Sequence, residues 1–328
     1  MAQPAPDQTS SLDARVDEDH RPNEIAALVC GLFVAIAAIG ARIAARRISR
    51  VKFGLEDWTI FAAMLGEITF AVVFAKSIHN GQGRSIIFVT DLVYFMRAFV
   101  VAVVSYSITV MLTKISILIF YCRLFNARWL TIWSIVIGTT VVLYNLATIL
   151  LAGLQCIPLS DLWNARSSCI NPQPSFFGLS IVNVVTDVAI IALPVKPVLG
   201  LHLELSRKLQ VLALFLTGGV VCVFGILRAI AMSELSMVDP SLGLVGPSIW
   251  SFTEISVGIV AACLPLLGPF IRNKKPAMNP VSPSPGMGSG HNARLGKFSA
   301  ASRIRKTGYI RQWDGALVDD VRHTVASF

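Results

Sequence analysis

The chain has 328 residues, of which 54% are hydrophobic and only 14% are charged, and its net charge is +9. Soluble domains carry roughly 25% charged residues, so this composition excludes a soluble globule and indicates a membrane protein. The positive charge would suit nucleic acid, but most of it flanks apolar runs, where anionic lipid headgroups attract it. We therefore expect a lipid bilayer, and no nucleic acid, as a partner.

Seven apolar runs approach or exceed the roughly 20 residues that a helix needs to cross a bilayer. They are Ile25–Ala45, Trp58–Ala75, Phe99–Tyr121, Leu130–Ala152, Phe176–Leu193, Gln210–Ala231 and Ser248–Ile271. The stretch Ile86–Tyr94 is also apolar, but Asp91 and Arg97 separate it from the third run, so it is either a loop or an extension of that helix. The pattern predicts an all-α membrane protein, a seven-transmembrane helix bundle.

Lysine and arginine residues outside the runs are divided unequally between the two sides of the membrane. The loop after the first run, the next loops on that side and the tail after Ile271 carry most of them. The other side holds fewer, among them Arg15, Arg21, Lys76, Arg84 and Arg166. Because basic loops stay in the cytoplasm, we predict that the N-terminus is outside and the C-terminus is cytoplasmic.

Composition divides the chain into three parts. Residues 1–24 form a polar, acidic extracellular tail, and residues 25–271 form the seven-helix transmembrane domain. Residues 272–328 are rich in Pro, Gly, Ser and basic residues, which is typical of a disordered segment. This cytoplasmic tail is expected either to lie on the membrane surface or to dock a partner.

Ionisable residues inside the runs are costly in hydrocarbon and need partners. At 1.5 Å per residue, Lys114, Asp187 and Glu67 lie at a similar depth, roughly 10–13 Å from the cytoplasmic side. Lys114 could therefore pair with Asp187 or with Glu67. Arg228 and Glu254 both lie roughly 25 Å from that side and form a second plausible pair.

A polar face on the fifth run supports an interior position for these charges. Asn183, Thr186 and Asp187 are spaced i, i+3 and i+4, so they share one side of a helix. These buried charged and polar residues either do no more than fix the packing of the helices, or they line a ligand pocket or form a bistable switch. A proton or ion path is a further alternative.

The predicted outer loop between the fourth and fifth runs contains Cys156 and Cys169. Because this side is oxidising, a disulfide is expected, the alternative being two free cysteines. The sequence has no HExxH, GxSxG, CxxC or glycine-rich phosphate motif, and its five histidines do not cluster. We therefore predict no metal site and no enzymatic activity.

Several segments together resemble a known family. They are "GLEDWTIFAAML" (54–65), "LTKISILIFYCRLF" (112–125), "CIPLSDLW" (156–163), "NVVTDVAIIALPVKP" (183–197) and "WSFTEISVGIVAACLPLL" (250–267). This order of motifs resembles the fungal rhodopsin-domain family of seven-transmembrane proteins. That family includes proteins like G-protein-coupled receptors that are linked to pathogenicity, and membrane proteins of mycotoxin gene clusters.

The resemblance assigns the charged residues to family motifs. Lys114 and Arg123 match the third helix and its cytoplasmic end, Asp187 matches the fifth helix, and Arg228 and Glu254 match the sixth and seventh. Cys156 and Cys169 match the outer loop. Glu67 is not a motif residue, so Asp187 is the preferred partner of Lys114.

The resemblance does not imply a retinal cofactor. Known seven-helix retinal proteins carry the Schiff-base lysine in the seventh helix, and the run Ser248–Ile271 contains no lysine. We expect no cofactor.

The leading hypothesis is a sensor resembling a G-protein-coupled receptor, in the plasma membrane. It would bind a small apolar ligand and signal through its cytoplasmic loops and tail to a cytoplasmic protein. The alternative is a transporter or accessory membrane protein of a secondary-metabolite pathway.

Overall fold

The computed structural model describes residues 19–48, 50, 52–84, 89–125, 127–156, 173–195, 205–234 and 240–267. Seven helices in it are long and apolar enough to cross a membrane. In chain order they are α1 Arg21–Ile48, α2 Leu55–His79, α3 Leu92–Phe125, α4 Arg128–Leu154, α5 Gln173–Ala192, α6 Leu205–Ser233 and α7 Val245–Cys263. No β-strand occurs among the described residues. The predicted seven-helix, all-α fold is confirmed, whereas the direction of insertion stays a prediction.

Helix α3 is longer than the third apolar run. It begins at Leu92 and has 34 residues, so the end of the stretch Ile86–Tyr94 extends this helix. Residues 85–88 lie outside the described residues. At 1.5 Å per residue, α3 is roughly 50 Å long, which exceeds the hydrocarbon thickness of a bilayer.

Helix α7 is shorter than predicted. The run was expected to continue to Ile271, but the α-helix ends at Cys263 and is followed by a 3₁₀ turn over Leu264–Leu267. Pro265 explains the difference, because proline lacks an N–H and its ring clashes with the carbonyl four residues earlier. At its other end, a four-residue helix, Pro240–Gly243, precedes α7.

Apolar side chains cover the outside of the helix bundle and polar side chains lie inside it, as a lipid environment requires. Large apolar side chains such as Phe33, Leu143 and Val185 are exposed on the outer faces of their helices. Asn145, Asn183 and Glu254 are instead buried in the bundle. A wide exposed apolar surface around a polar interior is stable only when lipid covers it.

Two glycines allow helices to approach closely. A Cβ on Gly66 of α2 would collide with the Thr109 hydroxyl of α3. A Cβ on Gly31 of α1 would lie 2.7 Å from the Phe252 ring and from the Ser256 hydroxyl of α7. Small residues at such crossings let backbones pack without side chains between them, which drives helix association in lipid.

Several predictions fall outside the described residues. These are both tails (residues 1–18 and 272–328) and most of the loop that contains Cys169. The three-part division of the chain therefore stays a prediction.

Candidate functional site

The centre of the bundle holds a continuous set of polar contacts, which we call the central network. Its members come from five helices and are Tyr106, Lys114, Tyr144, Asn183, Thr186, Asp187, Arg228 and Glu254.

Lys114 is held by one face of α5. Its Nζ lies 2.9 Å from Asp187 Oδ1. The same ammonium donates to the Asn183 backbone oxygen at 2.9 Å, to Asn183 Oδ1 at 2.8 Å and to Thr186 Oγ1 at 2.9 Å. The structure thus brings together the residues spaced i, i+3 and i+4 in the sequence, and it supplies acceptors for every ammonium proton.

Glu254 of α7 holds the second pair. Its Oε2 lies 3.0 Å from Arg228 Nε and accepts a hydrogen bond from Tyr106 Oη at 2.9 Å. Its Oε1 accepts from Asn183 Nδ2 at 2.6 Å. Arg228 Cζ also lies over the Tyr106 ring, 4.7 Å from its centre, so one face of the guanidinium is covered by an aromatic ring.

Asn183 joins the two pairs. Its Oδ1 accepts from Lys114 and from Tyr144 Oη, at 2.8 Å each, while its Nδ2 donates to Glu254. Sequence reasoning placed the pairs at separate depths, but the structure links them, because Asn183 lies one helical turn from Asp187 and faces both. A change at one pair therefore alters the hydrogen bonding of the other.

A cavity of about 70 Å³ lies beside the Arg228 half of the network. Polar groups of Arg228, Asn183 and Tyr106 face it, and its apolar walls include Phe99 and Phe176. Since one water needs roughly 10–15 Å³ of such space, the cavity accepts several waters or a small organic group.

Glu67 does not pair with Lys114. This fully buried carboxyl of α2 accepts a 2.6 Å hydrogen bond from the Ser256 hydroxyl of α7, and its second oxygen has no hydrogen-bond partner. The shared depth of Glu67 and Lys114 stays a prediction, and the structure shows that the two residues contact different neighbours.

A second charged group, the end cluster, lies where α1, α2 and α3 meet. It consists of Arg42, Arg46, Glu56, Asp57 and Arg123. Arg42 contacts Asp57 at 2.8 Å, and Arg46 contacts Glu56 at 2.7 Å. Arg123 contacts the same Glu56 carboxylate at 2.7 Å, although 55% of the Arg123 side chain is exposed.

Hydrogen bonds attach the end cluster to two more points of the bundle. Arg42 Nη1 donates to the backbone oxygen of Ala262 at 2.7 Å, which satisfies one of the last carbonyls of α7. Ser116 Oγ donates to the backbone oxygen of Glu56 at 2.8 Å. Sequence reasoning counted Arg46 only among the basic residues of the cytoplasmic loop after the first run, and it missed Arg42. The available signal was their i, i+4 spacing opposite the adjacent acids Glu56 and Asp57.

The opposite end of the bundle carries smaller polar contacts. Asp19 accepts hydrogen bonds from Arg21 and Arg84, and these guanidiniums hold the pKa of its carboxyl well below the usual range. Gln82 Nε2 donates to the buried Glu24 carboxylate at 3.1 Å. These contacts connect the start of α1 to the turn after α2.

The predicted disulfide is not resolved by the described residues. Cys156 is buried just beyond α4, and Cys169 lies outside the described part, so the pairing stays a prediction. No group of three histidine, cysteine or acidic residues in the described ranges could hold a metal ion.

Comparisons with known proteins give one matching family model and several relatives. The family model of the fungal rhodopsin domain matches residues 41–273. The chain is 29% identical over 261 residues to a polyenoic acids biosynthesis gene cluster protein, Ba17b, of Metarhizium anisopliae, covering 73% of this chain and 70% of that protein. It is 31% identical to a SAT4 family membrane protein of Emericella nidulans, covering 63% and 54%.

A third relative carries a receptor name. The chain is 27% identical over 212 residues to Receptor GIN3 of Arthrobotrys oligospora, covering 63% of this chain and 50% of that protein. The chain therefore spans about half the length of two of these three relatives. No solved structure gives a significant match.

Proposed function

Because this chain belongs to the fungal rhodopsin domain family, whose relatives include a SAT4 family membrane protein, we propose that it is a receptor-like sensor of a small ligand. The observation that carries the proposal is the cavity beside Arg228, which is lined by four members of the central network, Tyr106, Tyr144, Asn183 and Arg228. That network reaches five helices. The name of the GIN3 relative favours the same role. In this proposal the protein is not an enzyme.

The proposed site couples a ligand to helix packing. A cavity of about 70 Å³ is smaller than the roughly 300–1,000 Å³ of pockets for drug-sized ligands, so a larger ligand would separate the surrounding helices. Such a ligand stabilises the expanded bundle over the closed one by its difference in affinity for the two.

Two helices could carry this change to the end cluster. Helix α3 bears Tyr106 in the network and Arg123 in the cluster. Helix α7 bears Glu254 in the network and the Ala262 carbonyl that Arg42 caps. We propose that this end is cytoplasmic, that the protein lies in the plasma membrane, and that a cytoplasmic signalling protein reads the change.

The test is a thermal-shift screen of the purified chain against apolar metabolites, followed by hydrogen–deuterium exchange with each compound that stabilises it. A cavity ligand should stabilise the wild type but not Glu254→Gln. Glu67→Gln is the matched control, because Glu67 is equally buried but lies outside the central network, whereas Glu254 contacts Tyr106, Asn183 and Arg228, which line the cavity. The sensor function requires altered exchange at the turn between α1 and α2. A compound that alters exchange only around the cavity would contradict the sensor function.

A second candidate is an accessory or transport protein of a secondary-metabolite pathway. The polyenoic acids cluster relative favours this role. Flux of a stabilising metabolite into proteoliposomes, lost in Glu254→Gln, would support transport over sensing.

A further inference from the structure

Arg228 is a buried cation with unused hydrogen-bond donors. Only 6% of the residue is exposed, and it lines the cavity. Its Nε lies 3.0 Å from Glu254 Oε2 but makes no hydrogen bond. Within the described residues, Arg228 donates no hydrogen bond, whereas the carboxylate of Glu254 accepts from Tyr106 and Asn183.

This arrangement leaves the donors for a molecule in the cavity. A guanidinium presents five N–H groups, and leaving buried donors unsatisfied is costly. The stacking of Arg228 on Tyr106 covers one face of the guanidinium plane, so bonding must occur at its edge. An oxygen acceptor beside that edge would satisfy groups that the protein itself does not.

The charges around Arg228 argue for a neutral acceptor. The central network contains two cations, Lys114 and Arg228, and two anions, Asp187 and Glu254. These charges already balance. A ligand carboxylate would add a third anion close to Glu254, at a depth where unpaired charge is strongly disfavoured.

The cavity walls determine which kind of chemical group can carry the ligand oxygen. Phe70, Phe99, Phe176, Leu179 and Met232 face the same space. Such walls favour an apolar or aromatic body and offer little to a polar one.

We infer that the cavity binds a neutral carbonyl compound, such as a ketone, ester or lactone, whose oxygen accepts hydrogen bonds from the Arg228 guanidinium. The inference rests on the proposed function for the expansion of the cavity and for its biological meaning, but binding itself can be measured without any signal.

The test compares three probes of nearly equal shape on the full chain in lipid nanodiscs, with empty nanodiscs as the baseline. Acetophenone carries the carbonyl, ethylbenzene lacks it and benzoate carries a charge. Each probe is larger than the closed cavity of about 70 Å³, so binding of any of them requires the surrounding helices to separate as proposed above. Carbonyl ¹³C-labelled acetophenone reports hydrogen bonding through its chemical shift. The wild type should bind acetophenone about tenfold to a hundredfold more tightly than ethylbenzene, with benzoate weakest, and should move the carbonyl resonance downfield.

Two variants test whether the Arg228 guanidinium, and not the rest of the cavity, causes the preference for the ketone. Arg228→Met/Glu254→Gln removes both members of the ion pair, so neither charge is left unpaired. In this variant acetophenone should bind no more tightly than ethylbenzene. Ethylbenzene binding shows whether this variant is folded. If it is not, Arg228→Lys retains the charge opposite Glu254 without the planar fork, and the preference for the ketone should fall sharply.

Each contrary outcome is informative. Equal binding of acetophenone and ethylbenzene by the wild type overturns the inference and leaves the sensor function intact. Tightest binding of benzoate overturns neutrality. Binding of none of the probes overturns the cavity as a binding site. Ketone binding without altered exchange at the α1–α2 turn supports the inference and contradicts the sensor function.

Discussion

Replacement of Lys114 by methionine should destabilise the bundle strongly. The substitution removes the ammonium that lies 2.9 Å from Asp187, whose other carboxylate oxygen has no hydrogen-bond partner. Asp187 would then be a buried anion without a cation, which costs about 3–5 kcal/mol. At roughly 2–4 °C per kcal/mol for a domain of this size, the Tm should fall by roughly 6–20 °C.

Replacement of Asp187 by asparagine should lower the stability of the bundle less than Lys114→Met does, because Lys114 retains other acceptors. In Asp187→Asn the ammonium still contacts the two Asn183 oxygens and Thr186 Oγ1. The double variant Lys114→Met/Asp187→Asn removes both charges and should recover about 2–3 kcal/mol relative to the sum of the singles.

Thermal unfolding of all four proteins in one detergent measures this cycle, with intrinsic fluorescence as the signal. Additive losses in the double variant would refute the argument that the cost comes from an unpaired anion. A larger loss for Asp187→Asn than for Lys114→Met would refute the importance of the acceptors on α5.

Three further changes test other parts of the structure. Gly66→Ala should destabilise the bundle by about 1–3 kcal/mol through overpacking, and Thr109→Ala should restore most of this loss in a Tm measurement. Arg42→Gln should cost about 3–5 kcal/mol, because Arg42 is 1% exposed, whereas Arg123→Gln at a half-exposed side chain should cost less than about 1 kcal/mol. Equal Tm losses would contradict this order. Because the folded pKa of Asp19 is depressed, its contribution is present above the ordinary aspartate pKa of about 3.9 and is lost as the pH falls toward the folded value. The Tm difference between wild type and Asp19→Asn should shrink over that range, and a difference that grows would contradict the assignment.

The helices could be predicted from the sequence because a membrane span needs an uninterrupted apolar run. Their ends could not be predicted so well. Leu92 starts α3 before Arg97, which the pattern treats as a break, and Cys263 ends α7 before Pro265. Before Leu92, Asp91 Oδ1 accepts a hydrogen bond from the Tyr94 backbone N–H at 2.9 Å and so caps α3, and after Cys263 the proline ends α7. In both cases local backbone chemistry, and not average hydropathy, decides the boundary.

The pairing of charges could be predicted only in part. Position along the chain gives depth in the membrane, which favoured Asp187 and Glu67 equally as partners of Lys114. The direction in which each helix faces is a second coordinate, and a single sequence does not contain it for α2. Tyr106 and Tyr144 were missed for a related reason, since a tyrosine in an apolar run is indistinguishable from a packing residue until its hydroxyl is placed.

The Lys114–Asp187 pair has a consequence for how the protein is made. The two residues are 73 positions apart, so at roughly 5–20 residues per second the ribosome needs about 4–15 s to reach Asp187 after it has passed Lys114. Throughout that interval α3 lies in the membrane with Lys114 unpaired, because Asp187 has not yet been made. An unpaired lysine at the centre of a helix costs about 2.5–3.5 kcal/mol on translocon-based scales. Arg228 and Glu254 are only 26 positions apart, so their interval is shorter. A nascent chain stalled after α4 would therefore carry an unpaired cation within the bilayer, the kind of defect by which membrane quality control can distinguish unfinished from finished chains.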